Sequence, residues 1–263
     1  MNDHDRPLAP LGDASMASLT LVATWFGAGV MLTVADNVAV DGVKKSIMDP
    51  IGVALCLLMA AWWLARPLWE MGIVTLCDFY RKRYGVVAEK VSALVLVPSY
   101  FGWIAVQFVV LAEVLHLLFG IDQHIGVVLV MLGGTVYTLL GGMRAVALTD
   151  AVQMVVIVVG LVLLVTGVVW NEGWDATRTT VQAAVSGAPS RRDLLLAVDW
   201  LAIGALGNLP AQDLIQRILC VRSARGARQA CYLSAGVYLL FGLVPVLLGL
   251  LAGRLAPELS SAV

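Results

Sequence analysis

Seven apolar segments follow one another along this chain, and each is long enough to cross a lipid bilayer. A helix needs about 20 apolar residues to span roughly 30 Å of hydrocarbon. Because helices satisfy their own backbone hydrogen bonds in lipid, these segments predict an all-α, polytopic membrane protein with seven transmembrane helices. The predicted spans are 17–39, 48–68, 88–119, 123–141, 150–170, 194–219 and 229–254.

The composition supports the same class of protein. Of the 263 residues, 60% are hydrophobic and 13% are charged, whereas soluble domains carry about 25% charged residues. We expect one membrane domain over 17–256, embedded in membrane lipid, with a polar N-terminal segment at 1–16 and a tail at 257–263. The sequence contains no nucleophile–base pairing or metal-binding cluster, which argues against an enzyme, and no feature that indicates a nucleic acid as partner.

The distribution of basic residues predicts the orientation. With the N-terminus in the cytoplasm, eleven of the 17 lysines and arginines fall on the cytoplasmic side, and three of the others lie in the long 171–193 connection. Positive charges concentrate in short cytoplasmic loops and carry less weight in long ones. The chain is therefore predicted to be a multi-pass protein of the cell (inner) membrane with a cytoplasmic N-terminus.

Two predicted spans contain groups that interrupt a helix. Residues 23–37 of the first read ATWFGAGVMLTVADN, and residues 204–213 of the sixth read GALGNLPAQD. Each pattern taken alone favours a small-residue packing face or a simple proline kink. Five helices apart, however, two broken helices are typical of inverted-repeat secondary transporters, whose freed carbonyls bind cations. The candidate substrate-contacting residues are Asp36, Asn37, Gln107 and Asn208.

A polar stretch, GGMRAVALTDAVQ at 141–153, separates two strongly apolar segments. Its simplest interpretation is a short cytoplasmic turn in which Arg144 supplies the positive charge. Thr149 or Asp150 can then cap the following helix, where an acidic side chain also suits the positive end of the helix dipole.

Four segments resemble the sodium:solute symporter family, which includes proline, sugar, pantothenate and acetate transporters. The most specific are YTLLGGMRAVALTDAVQMVV at 137–156 and GALGNLPAQDLIQRIL at 204–219. VTLCDFYRKRYG at 74–85 and ATWFGAGVML at 23–32 are also similar to family segments. The resemblance extends from about residue 17 to residue 256.

The resemblance implies a five-plus-five inverted-repeat fold in which sodium drives solute uptake by alternating access. Sodium is then a coupling ion rather than a tightly bound cofactor, and its ligands are oxygen atoms. Ala23 and Phe26 correspond to family positions that act through backbone carbonyls, and Asp150 corresponds to an acid on the cytoplasmic route of the ion. The sodium-site residues implied by the resemblance are Ala23, Thr24, Phe26, Gly27 and Asp150.

The chain also departs from the family pattern. Family members have a span before the first broken helix and further spans after the seventh, including one that donates hydroxyl ligands to sodium. We therefore expect the N-terminal portion of a symporter with a partial repeat fold, which a second chain or missing C-terminal helices would complete. Two alternatives are a symporter-like sensor domain of a signalling protein and a degenerate, non-transporting membrane protein.

Overall fold

The computed structural model describes residues 13–27, 30, 34, 37–38, 42–186 and 191–255, which are helical except at turns and breaks. In chain order the helices are α1 (Ala14–Trp25), α2 (Val43–Ser46), α3 (Met48–Met59), α4 (Ala65–Glu70), α5 (Leu76–Tyr84), α6 (Val86–Phe119), α7 (Gln123–Glu172), α8 (Trp174–Val185), α9 (Arg191–Ala202), α10 (Gln212–Leu219) and α11 (Ala224–Leu255). Two π-helical turns join neighbouring helices, Ala60–Leu64 between α3 and α4 and Ile203–Gly207 after α9.

Within the described residues, five helical segments are long and apolar enough to cross a membrane. They are Val43–Glu70, Val86–Phe119, Gln123–Met143, Ala145–Asn171 and Ala224–Leu251. The pair Asp193–Gly207 and Gln212–Leu219, bent by 46°, is a candidate sixth span. The all-α, polytopic class is confirmed, and five predicted spans match continuous helices. Of the predicted span 17–39, residues 17–25 lie in α1, a helix of 12 residues that begins at Ala14.

Both predicted helix breaks lie where glycine or proline interrupts the apolar pattern. The first helix ends at Trp25, because Phe26 leaves the helical region with φ −95° and ψ 59°. In the sixth predicted span, the π-helical turn is followed by a non-helical stretch around Pro210 before α10 begins. Proline lacks the N–H that would continue the helical ladder, so a new helix must start after it.

The interpretation of 141–153 as a turn with a cap at Thr149 or Asp150 is wrong. The break occurs at Gly142, whose φ of 55° lies in the left-handed region that glycine adopts without strain. Since one glycine makes the bend, the next span already begins at Ala145. Thr149 lies inside that helix and donates its hydroxyl to the carbonyls of Ala145 and Val146.

The long polar connection at 171–193 also differs from a plain loop. It contains α8, whose Thr177 and Thr180 side chains are buried and donate to backbone carbonyls of their own turn. The two buried hydroxyls are satisfied in this way without partners from another helix. Within this connection, α8 packs against α2, α7 and α11.

Small and apolar side chains fill the centre of the domain, where α1, α3 and α11 pack together. Ser234 of α11 donates to the hydroxyl of Ser18 in α1 at 3.0 Å, and both side chains are buried. Small residues allow helix backbones to approach closely in lipid, where no hydrophobic force drives helices together. By contrast, α6 and the first half of α7 expose long apolar faces, as lipid contact requires.

Candidate functional site

A cavity of about 410 Å³ lies between the two helix breaks, and we call it the central cavity. Trp25, at the end of α1, forms part of its wall, and so do Gly207 and Pro210 beside the second break. The other walls come from α3, α6 and α11. Its aromatic lining residues are Trp25, Tyr100, Trp103 and Tyr238, its acidic ones are Asp49 and Asp213, and its other polar ones are Ser99 and Asn208.

The carboxylate of Asp213 ties three elements together at this cavity. The indole N–H of Trp25 donates to Oδ2, and the Tyr100 hydroxyl donates to Oδ1 at 2.8 Å. The backbone N–H of Asp213 in turn donates to the Tyr100 oxygen at 3.3 Å. Hydrogen bonds to a charged acceptor are stronger than those between neutral groups. Asp213 therefore fixes the edges of two aromatic rings, one from α1 and one from α6.

Asp49, in the first turn of α3, has a different environment. Within the described part of the chain, no side chain donates a hydrogen bond to its carboxylate or forms an ion pair with it. It lines both the central cavity and a much smaller neighbouring cavity that Asn37, Lys45 and Trp200 also line. The Lys45 ammonium lies over the Trp200 ring, 4.8 Å from its centre.

The structure places the predicted substrate residues at different points around these cavities. Asn208 lines the central cavity and donates its side-chain N–H to the Gly204 carbonyl at 3.0 Å. Asn37 lines the small neighbouring cavity instead. The Gln107 amide oxygen approaches Gly27, 3.7 Å from the point where a Cβ would stand. Asp36 lies outside the described residues.

Four of the predicted sodium-site residues lie together at the end of α1. Thr24 donates its hydroxyl to the Thr20 carbonyl at 2.7 Å, which leaves its oxygen lone pairs available. Phe26 is buried and packs edge-to-face against Tyr238, with ring centres 5.6 Å apart. Ala23 is partly buried, and Gly27 follows the helix end. Carbonyls in the last turn of a helix lack helical N–H partners, so oxygen ligands suited to a hard cation are present here.

Asp150 does not share that position, but an arginine connects it to α1. Arg217 of α10 donates from Nη2 to the Asp150 carboxylate at 3.1 Å and from Nε to the Thr20 carbonyl at 3.2 Å. The two side chains are only 10% and 13% exposed. One buried guanidinium therefore links the span that begins at Ala145 to both broken spans.

Sequence reasoning missed much of the cavity wall. Asp49 was not singled out, because one acidic residue near the start of an apolar run also suits a helix N-terminus. Aromatic residues in apolar segments, such as Tyr100 and Trp103, resemble packing groups or interfacial anchors in sequence, an assignment that suits Trp62 and Trp63, which are exposed and stacked with ring centres 5.5 Å apart. No local pattern separates a cavity-facing aromatic residue from a lipid-facing one.

The 74–85 segment, the last of the four family-like segments, contacts the second broken span. The capping box of Thr75 and Asp78 starts α5, and the Leu76 N–H donates to the Gln212 side-chain oxygen at 2.7 Å. Burial raises the pKa of the Asp78 carboxyl, but hydrogen bonds from Thr75 and Val74 outweigh it and hold the pKa below its usual range. The 74–85 segment thus supports the start of α10, which carries Asp213 and Arg217.

Comparison with known proteins agrees with this architecture. The human high affinity choline transporter 1 is 30% identical over 243 residues, which cover 89% of this chain and 41% of that protein. The Caenorhabditis elegans high-affinity choline transporter 1 is 28% identical over 89% of this chain and 40% of its own length. The sheep sodium/glucose cotransporter 1 is 29% identical over 63% of this chain and 25% of its length.

The chain thus spans about two fifths of the length of these choline transporter relatives. The model of the sodium:solute symporter family matches residues 11–263, which include both broken spans, the 74–85 segment and the Asp150–Arg217 pair. The polytopic helical architecture of this chain and the helix breaks around its central cavity agree with that match. This chain belongs to the sodium:solute symporter family.

Proposed function

We propose that the protein carries out sodium-coupled transport of a small organic cation, a substituted ammonium compound, through the central cavity. The observation that supports this substrate class is the wall itself, which combines four aromatic side chains with two carboxylates. Aromatic faces attract ammonium groups within about 6 Å of the ring centre, and quaternary ammonium compounds are recognised in such cages. Choline, which the names of several relatives give, is the simplest compound of this class.

The same wall disfavours other solutes. Two carboxylates repel an anion, and a sugar requires many hydrogen-bonding groups, whereas the described wall residues that are polar and neither acidic nor aromatic are Ser99 and Asn208. One side-chain N–H of Asn208 already donates a hydrogen bond to the Gly204 carbonyl. A cation with apolar substituents matches both the charge and the aromatic surface, because its methyl groups pack against the rings.

For the coupling ion, we propose that Thr24 and the carbonyls of Ala23, Phe26 and Gly27 contribute oxygen ligands, and that Asp150 serves the cytoplasmic route. The Gln107 side chain, which we propose to contact the solute, approaches Gly27, which we propose to bind the ion. Ion and solute would then stabilise the same arrangement of the first break, and shared stabilisation of one state is what couples two ligands.

The test is uptake into proteoliposomes by the protein expressed from its complete reading frame. With an inward sodium gradient, we expect radiolabelled choline to accumulate above its external concentration, and we expect no accumulation when potassium replaces sodium. An excess of unlabelled tetramethylammonium should compete, since it shares the charge and the methyl groups. Sodium-driven uptake of a neutral sugar that choline does not inhibit would contradict the proposed substrate class.

The proposed orientation places the N-terminus and the 220–228 connection in the cytoplasm. Asp13 forms an ion pair with Arg222 at 3.5 Å, so these two segments lie at the same end of the domain. In a variant with Cys77 replaced by serine, a cysteine introduced at Ser186 should react with a membrane-impermeant maleimide added to intact cells, and one at Ser223 should react only after permeabilisation. Both positions are exposed. The reverse pattern would invert the topology.

A further inference from the structure

The two carboxylates of the central cavity differ in what they already bind. Asp213 accepts hydrogen bonds from Trp25 and Tyr100 on its two oxygens, so its charge is partly compensated by the protein. Asp49 lines the same cavity, and none of the described residues donates to it or pairs with it. An ionisable side chain in a membrane span costs about 2.5–3.5 kcal/mol to insert and normally faces a partner or a cavity.

None of the ion pairs among the described residues joins Asp49 to Lys45, the charged residue nearest to it along the chain. Lys45, one helical turn earlier, shares the small neighbouring cavity with Asp49 and directs its ammonium over the Trp200 ring. Tyr238 of α11 also lines the central cavity. A carboxylate and aromatic side chains that line one cavity form an arrangement that a ligand ammonium can complete.

We propose that Asp49 is the counter-ion for the ammonium group of the transported cation, and that Asp213 is a positioning residue that holds Trp25 and Tyr100 in the wall. This inference rests on the proposed organic-cation substrate and deepens it. Asp49 supplies the charge that distinguishes a cation from a neutral molecule of the same shape. Asp213 holds the Trp25 and Tyr100 rings in the positions that binding of either molecule requires.

The experiment compares choline with 3,3-dimethylbutan-1-ol, its neutral isostere in which carbon replaces nitrogen. Equilibrium binding of each is measured on the purified protein from the complete reading frame, in saturating sodium. Asp49→Asn keeps the size of the side chain and removes its charge. We expect it to weaken choline binding about tenfold or more, corresponding to about 1.4 kcal/mol, and to leave binding of the isostere unchanged.

Asp213→Asn and Tyr100→Phe are the matched controls. Both remove hydrogen bonds from the ring edges, so we expect them to weaken choline and the isostere by similar factors and to leave the ratio of the two affinities close to that of the unmodified protein. Asp49→Glu retains the charge and should keep most of the preference for choline. Because the readout is a ratio of affinities, it does not depend on how much variant protein is recovered.

Three outcomes would overturn the inference. If Asp49→Asn leaves the ratio unchanged, Asp49 is not the counter-ion. If it leaves the ratio unchanged but raises the sodium concentration required for half-maximal binding, Asp49 serves the inorganic cation instead. If the unmodified protein binds neither choline nor tetramethylammonium, the proposed substrate class fails together with the inference, and this result is separate from the first two.

Discussion

Arg217→Gln is expected to lower the free energy of unfolding by about 3–5 kcal/mol, the usual cost of removing one partner from a buried ion pair. The guanidinium makes two contacts that glutamine cannot reproduce together, with the Asp150 carboxylate at 3.1 Å and the Thr20 carbonyl at 3.2 Å. Its loss leaves Asp150, with a side chain only 13% exposed, without its ion-pair partner. The measurement is the thermal unfolding midpoint of the purified protein in detergent.

The control for this prediction is the double variant Arg217→Gln/Asp150→Asn. It removes both charges, so no uncompensated carboxylate remains, and we expect it to recover most of the lost stability. An unfolding midpoint for Arg217→Gln equal to that of the unmodified protein would contradict the assignment of the pair as a structural link between the broken spans.

The same double variant also tests the proposed role of Asp150 on the sodium route. If the carboxylate serves sodium as well as Arg217, the variant should be stable but require a higher sodium concentration for half-maximal uptake. If Asp150 only balances Arg217, stability and sodium dependence should recover together. The two roles are distinguishable because one affects folding and the other affects an ion concentration.

The sequence predicted the helical class and most spans because lipid imposes a length and a polarity that can be counted residue by residue. It also predicted where the two spans break, since the first helix ends just before Gly27 and the non-helical stretch of the second break contains Pro210. It failed for Asp150, because the position of the preceding bend depends on which glycine of a glycine-rich turn adopts the left-handed conformation. Gly142 does so, and Asp150 therefore lies well inside the helix.

Contacts between distant spans could not be predicted in this way. Asp213 and Tyr100 are 113 residues apart, and Asp150 and Arg217 are 67 apart. The sequence pattern of one chain does not show which polar residues of different helices meet. Each such residue is equally compatible with a solvated loop or a helix end. The central cavity is a product of these pairings, so its wall emerged only from the packed helices.

Two glycines bring the second predicted span and the second broken span into close contact. Gly52 of α3 and Gly204 of the π-helical turn meet so closely that a Cβ on Gly204 would stand 3.0 Å from the Gly52 Cα and 3.2 Å from its carbonyl carbon. These neighbours are backbone atoms, which cannot move aside as a flexible side chain can. Gly204→Ala must therefore push the two helices apart, and we expect a loss of about 1–3 kcal/mol in the free energy of unfolding.

Separation of these helices also alters the cavity, because Asp49 lies on one and Asn208 follows the other. Choline binding should therefore weaken in Gly204→Ala, as measured by equilibrium binding alongside the unfolding midpoint. Gly236→Ala in α11 is the matched control, since nothing lies within 4 Å of its added Cβ. Alanine is the better helix former by about 1 kcal/mol, so the control should be neutral or stabilised. Equal stability and affinity in the two variants would show that the close approach of Gly52 and Gly204 does not set the width of the cavity.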